Sequence, residues 1–141
     1  MFKTALVAID INQPDGANRV AKAAMELLTA PDASFHLLNV VPDSGMAIVS
    51  NMLGPDHSRQ MLSKAQEMIK SWAAETLPAD RVTQLHVVEG TIYDCILKVS
   101  TEVEADVIVM GAHRPELKDY LLGPNAARVA RHATQSVFVI R

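Results

Sequence analysis

Apolar residues along this chain switch between two rhythms, near-continuous short runs and positions spaced by three and four. The first run, Thr4 to Ile9, reads as a strand closed by Asp10. A turn-rich stretch follows (Asn12, Pro14, Asp15, Gly16). Then Ala17, Val20, Ala21, Ala24, Leu27 and Leu28 mark one face of a helix from about Asp15 to Thr29. Pro31-Asp32 breaks it, and Phe35 to Val41 forms a second strand ended by Pro42. Residues 42–57 show no clear period. Asp43, Ser44, Gly45, Gly54 and Pro55 surround a short apolar segment there. A helix is predicted from about His57 to Leu77, with Met61, Leu62, Ala65, Met68, Ile69, Trp72 and Ala73 on its buried side. Val82 to Val88 is a third strand. Thr91 is expected to cap a third helix by accepting the Asp94 N–H, with Ile92, Cys95, Ile96, Val99 and Val103 as its inner stripe. Val107 to Met110 is a strand buried on both faces, Pro124 to Ala133 the last helix, and Ser136 to Ile140 the last strand.

Strands alternate with helices throughout, which predicts right-handed crossovers about a parallel sheet. The expected fold class is α/β: a single doubly wound domain over residues 1–141, with five parallel strands in the order 3-2-1-4-5 and helices on both faces. Such sheets bind ligands beyond the carboxyl ends of their strands, where the chain order reverses. With strands one and four as central neighbours, Asp10-Ile11-Asn12, Val40-Val41-Pro42 and Gly111-Ala112-His113-Arg114 would line one crevice.

Composition narrows the function classes. With 49% hydrophobic and 21% charged residues the chain reads as a globular protein with a substantial core. A formal charge of −3 argues against a nucleic-acid binder, and no apolar run reaches the length of a membrane span. The charge is uneven: residues 107–141 carry a net +3 and the remainder −6, which suits a small anionic ligand better than a long polyanion. Cys95 is the sole cysteine, so an intrachain disulfide and multi-cysteine metal sites are excluded. The chain enters its first strand with no room for a signal peptide, so a cytoplasmic location is expected.

The chemistry concentrates between Val107 and Ala127. A buried strand ends at Gly111, a polar loop follows, and Gly123-Pro124-Asn125 opens a helix. Two loop glycines can merely permit turns. At a strand end and a helix start within one connection, they also frame an anion site in which backbone N–H groups face a phosphate. This segment resembles the ATP-binding motif of the universal stress protein family, G-x-x-G-(nine residues)-G-[S/T]. The similarity covers the whole chain in length and element order, including the Val-x-Ile-Asp end of the first strand and the Glu89-Gly90 turn. The chain follows a branch of the form G-[SA]-H-R-P…Y-L-L-G-S-N-A almost residue for residue. It departs from the general motif in three ways. Arg114 stands at the second glycine, eight residues rather than nine precede Gly123, and Pro124 replaces the Ser or Thr. Arg114 removes a close backbone approach but adds a cation suited to phosphate oxygens. Pro124 fits a first helical turn while removing an N–H and a hydroxyl, a loss that Asn125 can partly replace.

The resemblance implies a Rossmann-like fold of the adenine nucleotide alpha hydrolase-like kind, a homodimer or higher oligomer built through the last strand, and an adenine nucleotide ligand. ATP is the expected nucleotide, with AMP or ADP as others of the class and magnesium only as its companion. The residues it places at the nucleotide are Ile9, Asp10, Val40, Val41, Met110, Gly111, His113, Arg114, Gly123, Pro124, Asn125 and Ala126. Asp10 would bond the adenine or ribose, or else simply cap the turn after its strand. Val41 would meet the adenine through its backbone, or else close the core of its strand. His113 and Arg114 are ligand groups or a solvated loop. Arg128 and Arg131, one turn apart, read as decorating an exposed helix face, with Arg128, nearer the helix start, the better phosphate candidate of the two. His36 and His86 read as half-buried sheet residues, His57 and His132 as helix ends, and Cys95 as a buried thiol.

No P-loop, no G-x-G-x-x-G after the first strand and no G-x-S-x-G is present, and Asp10 is the only acid placed for catalysis. The expectation is a regulatory protein that binds ATP without efficient turnover; slow hydrolysis or autophosphorylation is the least favoured reading. The alternative is a protein-interaction module of the same fold, its phosphate cradle closed by Arg114 and Pro124. The last strand, with Val137, Phe138, Val139 and Ile140, is expected to be an edge that pairs with its copy in a second subunit.

Overall fold

The computed structural model describes residues 2–42, 47–112 and 122–141. Five strands, β1 (Thr4–Ile9), β2 (Ser34–Pro42), β3 (Val82–Gly90), β4 (Val107–Gly111) and β5 (Ser136–Ile140), alternate with four helices, α1 (Pro14–Leu27), α2 (Ala47–Thr76), α3 (Ile92–Glu102) and α4 (Pro124–His132). The sheet runs β3-β2-β1-β4-β5 with every neighbouring pair parallel, as the alternation predicts. The order reverses between β1 and β4, so the chain leaves these central strands in opposite directions and opens a crevice above them.

The pleat divides the core into two layers. Ala5, Val7, Phe35, Leu37, Val107 and Val109 pack against Ala21 and Ala24 of α1 and Ile69 and Trp72 of α2. Leu6, Leu38, Ile108 and Met110 pack against Ile96 and Val99 of α3 and Ala126 and Val129 of α4. Val107 to Met110 are buried on both faces, which is why that run is uniformly apolar. At the amino ends of the strands, the Asp106 carboxylate accepts the N–H groups of Lys3 and Thr4 at 3.0–3.2 Å and fixes where β1 and β4 begin.

Several expectations need correction. Helix α2 begins at Ala47 rather than near His57, so His57 lies inside a helix and not at its end. Pro55 removes one i→i−4 hydrogen bond there, and the flanking turns carry the helix through. The buried stripe of α2 is narrower than its periodicity suggested. Ala65, Ile69, Trp72 and Ala73 are inside, while Met61 and Met68 are exposed, as is Leu27 of α1. Thr91 occupies the N-cap of α3 without a side-chain capping bond; the first helical bond runs from the Cys95 N–H to the Thr91 carbonyl at 3.0 Å. Gly90 has φ +150°, and a Cβ there would lie 2.9 Å from Cys95 Sγ, so both backbone and packing require glycine at that turn. Cys95 is half-buried rather than fully buried. Burial and the neighbouring Asp94 raise its thiol pKa against the opposing Lys98, which keeps it protonated and poorly nucleophilic.

His36 and His86 are half-buried on adjacent strands, with Nδ1 of the first 3.0 Å from Nε2 of the second. One nitrogen must donate and the other accept, so the contact requires at least one neutral ring. Burial lowers the pKa of both. The charge of His86 lowers that of His36 further, while Glu102 at the end of α3 partly offsets the shift at His86. With folded values below the ordinary 6.5, the unfolded chain binds protons more readily in between. The contribution is complete above that value and is lost as pH falls through the folded pKa values. Urea midpoints measured between pH 8 and pH 5 are expected to fall more for the native chain than for His36→Leu.

Candidate functional site

The crevice over the strand ends is a cleft of about 840 Å³. That is in the upper part of the range of about 300–1,000 Å³ usual for small-molecule sites. Ala8, Leu38, Val40 and Met110 from the sheet and Ile92 and Ile96 from α3 give it an apolar wall. Asp10, Asn12 and Gln13 come from the turn between β1 and α1, Asp15 from the first turn of α1, and Gly123 to Ala126 from the start of α4. An apolar wall, a carboxylate-and-amide corner and a helix N-terminus thus converge on one space.

Of the residues expected from the sequence, Ile9, Asp10, Val40, Met110, Gly111, Gly123, Pro124, Asn125 and Ala126 all line this cleft. Val41 is buried and not among the lining residues; the alternation of β2 sends Leu38, Val40 and Pro42 there instead. His113 and Arg114 lie outside the described residues. Arg128 sets its guanidinium 4.9 Å over the Tyr93 ring of α3 and does not line the cleft, in keeping with its place on the exposed face of α4. Ile140, expected only at the edge, also lines the cleft beside Arg141.

Bonds already made by the backbone leave few N–H groups for a ligand in this cleft. The Gly123 N–H donates to the Ala112 carbonyl at 2.7 Å, and the Ala112 N–H donates to the Ile140 carbonyl at 2.8 Å. Neither is available to a ligand, and Pro124 has no N–H. The first intrahelical bond of α4 runs from Ala127 to the Gly123 carbonyl at 3.0 Å, which places Asn125 and Ala126 among the donors without an intrahelical partner. Among the described residues no side chain caps this end, so the positive end of α4 faces the cleft through those two N–H groups. Gly111 contributes differently. A Cβ there would meet Val20 Cγ2 at 3.7 Å, an ordinary contact, so the surrounding fold does not demand glycine.

Asp10 shapes its turn and still reaches the cleft. Its Oδ1 accepts the Asn12 N–H at 3.0 Å and its carbonyl accepts the Gln13 N–H at 3.0 Å, shaping the turn, while the residue remains exposed in the cleft. The turn is anchored from beneath by Asn39, which sequence reasoning missed. Only 3% exposed, Asn39 accepts the buried Ile11 N–H on its Oδ1 at 3.0 Å. The signal was present: one amide in the apolar run Leu37-Leu38-Asn39-Val40-Val41 needs a partner once buried. The start of α1 and the cleft-facing role of Ile92 and Ile96 were also missed, because an inner helical stripe reads alike whether it meets core or cavity. No group of three or more His, Cys, Asp or Glu among the described residues could hold a metal ion. Also among them, no helix is long and apolar enough to cross a membrane.

Comparison with known proteins agrees with this architecture. The model of the universal stress protein family matches residues 1–141. Universal stress protein G of Escherichia coli O157:H7 is 30% identical over 145 aligned positions that cover all of both chains. Among solved structures, the hypothetical protein MJ0577 superposes with a TM-score of 0.82 at 22% identity, covering 99% of this chain and 96% of that one. A universal stress protein in complex with cAMP superposes with a TM-score of 0.60 at 20% identity, covering 99% and 97%. At such identities the structural likeness establishes the fold, while the match along the whole sequence establishes kinship. This chain belongs to the universal stress protein family, a family of the stress response.

Proposed function

We propose that this protein is a cytoplasmic stress-response regulator that binds an adenine nucleotide, ATP foremost, in the cleft above β1 and β4 without turning it over efficiently. The observation that carries the reading is the convergence of an apolar wall, the Asp10 corner and the uncapped start of α4 on one cleft of about 840 Å³. The base would lie against Val40 and Met110, Asp10 would bond the nucleoside, and the Asn125 and Ala126 N–H groups would hold phosphate. Arg114, and His113 beside it, would add side-chain donors to the phosphates. Magnesium would enter only with ATP. The complex of a related universal stress protein with cAMP supports an adenine ligand. Thermal unfolding tests this: ATP at a hundred times its Kd should add about 2.7 kcal/mol of stability, and no shift at millimolar ATP would refute it.

A second reading keeps the fold as a protein-interaction module that binds no nucleotide. What favours it is that Gly123 and Ala112 spend their N–H groups internally and Pro124 has none. It requires the same thermal experiment to show no response.

The reading includes a homodimer through β5. This strand ends the sheet, and Val137, Phe138, Val139 and Ile140 are each only half-buried. Because the Ile140 carbonyl faces β4, where it accepts from Ala112, the polar groups of Val139 point outward. Val139→Pro therefore removes an outward donor while leaving the β4 ladder intact. The native chain is expected to sediment as a dimer at micromolar concentration and Val139→Pro as a folded monomer; an unchanged mass for the variant would argue against pairing through β5.

A further inference from the structure

We infer that Arg19 binds the terminal phosphate of a nucleoside polyphosphate and so sets this site's preference for ATP over AMP, an assignment that rests on the nucleotide-binding reading above. Arg19 stands on the second turn of α1 and lines the cleft together with Gly111, Asn125 and Arg141. Its guanidinium does not extend away from the fold. Nη2 lies 4.0 Å from where a Cβ of Gly16 would be, so the side chain folds back over the first turn of α1, past a residue that also lines the cleft. Long helical side chains lean toward the N-terminus, and the bare Cα of Gly16 leaves that path open.

Among the described residues the group is also uncommitted. Asp15, four residues earlier, is the neighbour with which an exposed helical arginine would ordinarily pair. No ion pair joins them, and among the described residues no carboxylate engages Arg19. A planar cation with several donors, held at a cleft wall with no partner among the described residues, matches the oxygens of a phosphate. It stands on α1, whereas the backbone donors of Asn125 and Ala126 belong to α4, so the two present separate donor sets to the cleft. A nucleoside monophosphate held at the start of α4 leaves Arg19 unused; a chain of further phosphates gives it a ligand.

Calorimetric titration of the native chain and Arg19→Gln with ATP and magnesium, and separately with AMP, tests the assignment. Circular dichroism checks that the exposed substitution leaves the fold intact. The native chain should bind ATP more tightly than AMP. Arg19→Gln should weaken ATP about tenfold and leave AMP within about twofold, with Arg19→Lys intermediate for ATP. Equal loss of both nucleotides, or no loss of ATP affinity, overturns the role of Arg19 while leaving the nucleotide site standing. A native chain that binds neither nucleotide overturns the site itself, and this assignment with it.

Discussion

Asn39→Leu is expected to lower the free energy of unfolding by about 1–3 kcal/mol, and to weaken ATP binding in the same variant. Leucine matches asparagine roughly in volume but offers no acceptor. The Ile11 N–H, in a residue only 7% exposed, would then lie buried without the partner it now has at 3.0 Å. The cost of an orphaned buried donor exceeds the modest net worth of the bond that satisfied it. Ile11 lies between Asp10 and Asn12, both cleft residues, so whatever movement relieves the orphaned donor also displaces the Asp10 corner. Urea denaturation gives the first effect and calorimetry the second. A variant that loses stability but binds ATP as before would mean that Asn39 supports the fold alone.

Val40→Trp is expected to abolish nucleotide binding, by at least about a hundredfold, with the protein still folded. Val40 is half-buried at the carboxyl end of β2, between Leu38 and Pro42, and its side chain faces the cleft rather than the packed layer beneath α1 and α2. Val40 also packs on the layer of Leu38 and Ile96, but the cleft beside it gives a larger aromatic open volume, so the overpacking cost is below that of a fully buried position. The indole would occupy the apolar wall against which the base is proposed to lie. Undiminished ATP affinity would place the nucleoside elsewhere in the cleft. Loss of folding, seen as loss of cooperative unfolding, would show that this wall is less open than its geometry indicates.

The fold was legible in the sequence because its determinants are local and repeated. β1, β4 and β5 are near-continuous apolar runs, α1 and α3 carry clear stripes, and Pro, Gly and Asp residues punctuate them. Where reading failed, a long-range term decided the outcome. Gly54 and Pro55 look like a helix boundary, yet α2 runs through them from Ala47, because a single missing N–H does not outweigh the helical turns on either side. Met61 and Met68 repeat at helical spacing but fall on the flank of α2, and only tertiary packing determines how wide a stripe is covered.

The site was partly legible for a related reason. Strand ends and helix starts can be found by pattern, so the crevice expected from the sequence and the observed cleft share Asp10, Gly111 and Asn125 among their residues. Which N–H groups remain for a ligand depends on hydrogen bonds between residues distant in sequence. The Gly123 N–H is spent on the Ala112 carbonyl and the Ala112 N–H on the Ile140 carbonyl. Asn39 and Ile11 lie twenty-eight positions apart, and the partnership appears only when β2 is laid beside β1. Arg19 gave no signal at all, because a cation on an exposed helical position is ordinary until the cleft beside it is known.

A crystal structure grown with ATP and magnesium decides whether the cleft above β1 and β4 holds an adenine nucleotide. Density is expected for one nucleotide per chain, its base against Val40 and Met110 and its phosphates at the N–H groups of Asn125 and Ala126. Crystals grown in millimolar ATP that show no nucleotide in this cleft, or show it bound elsewhere, would contradict it.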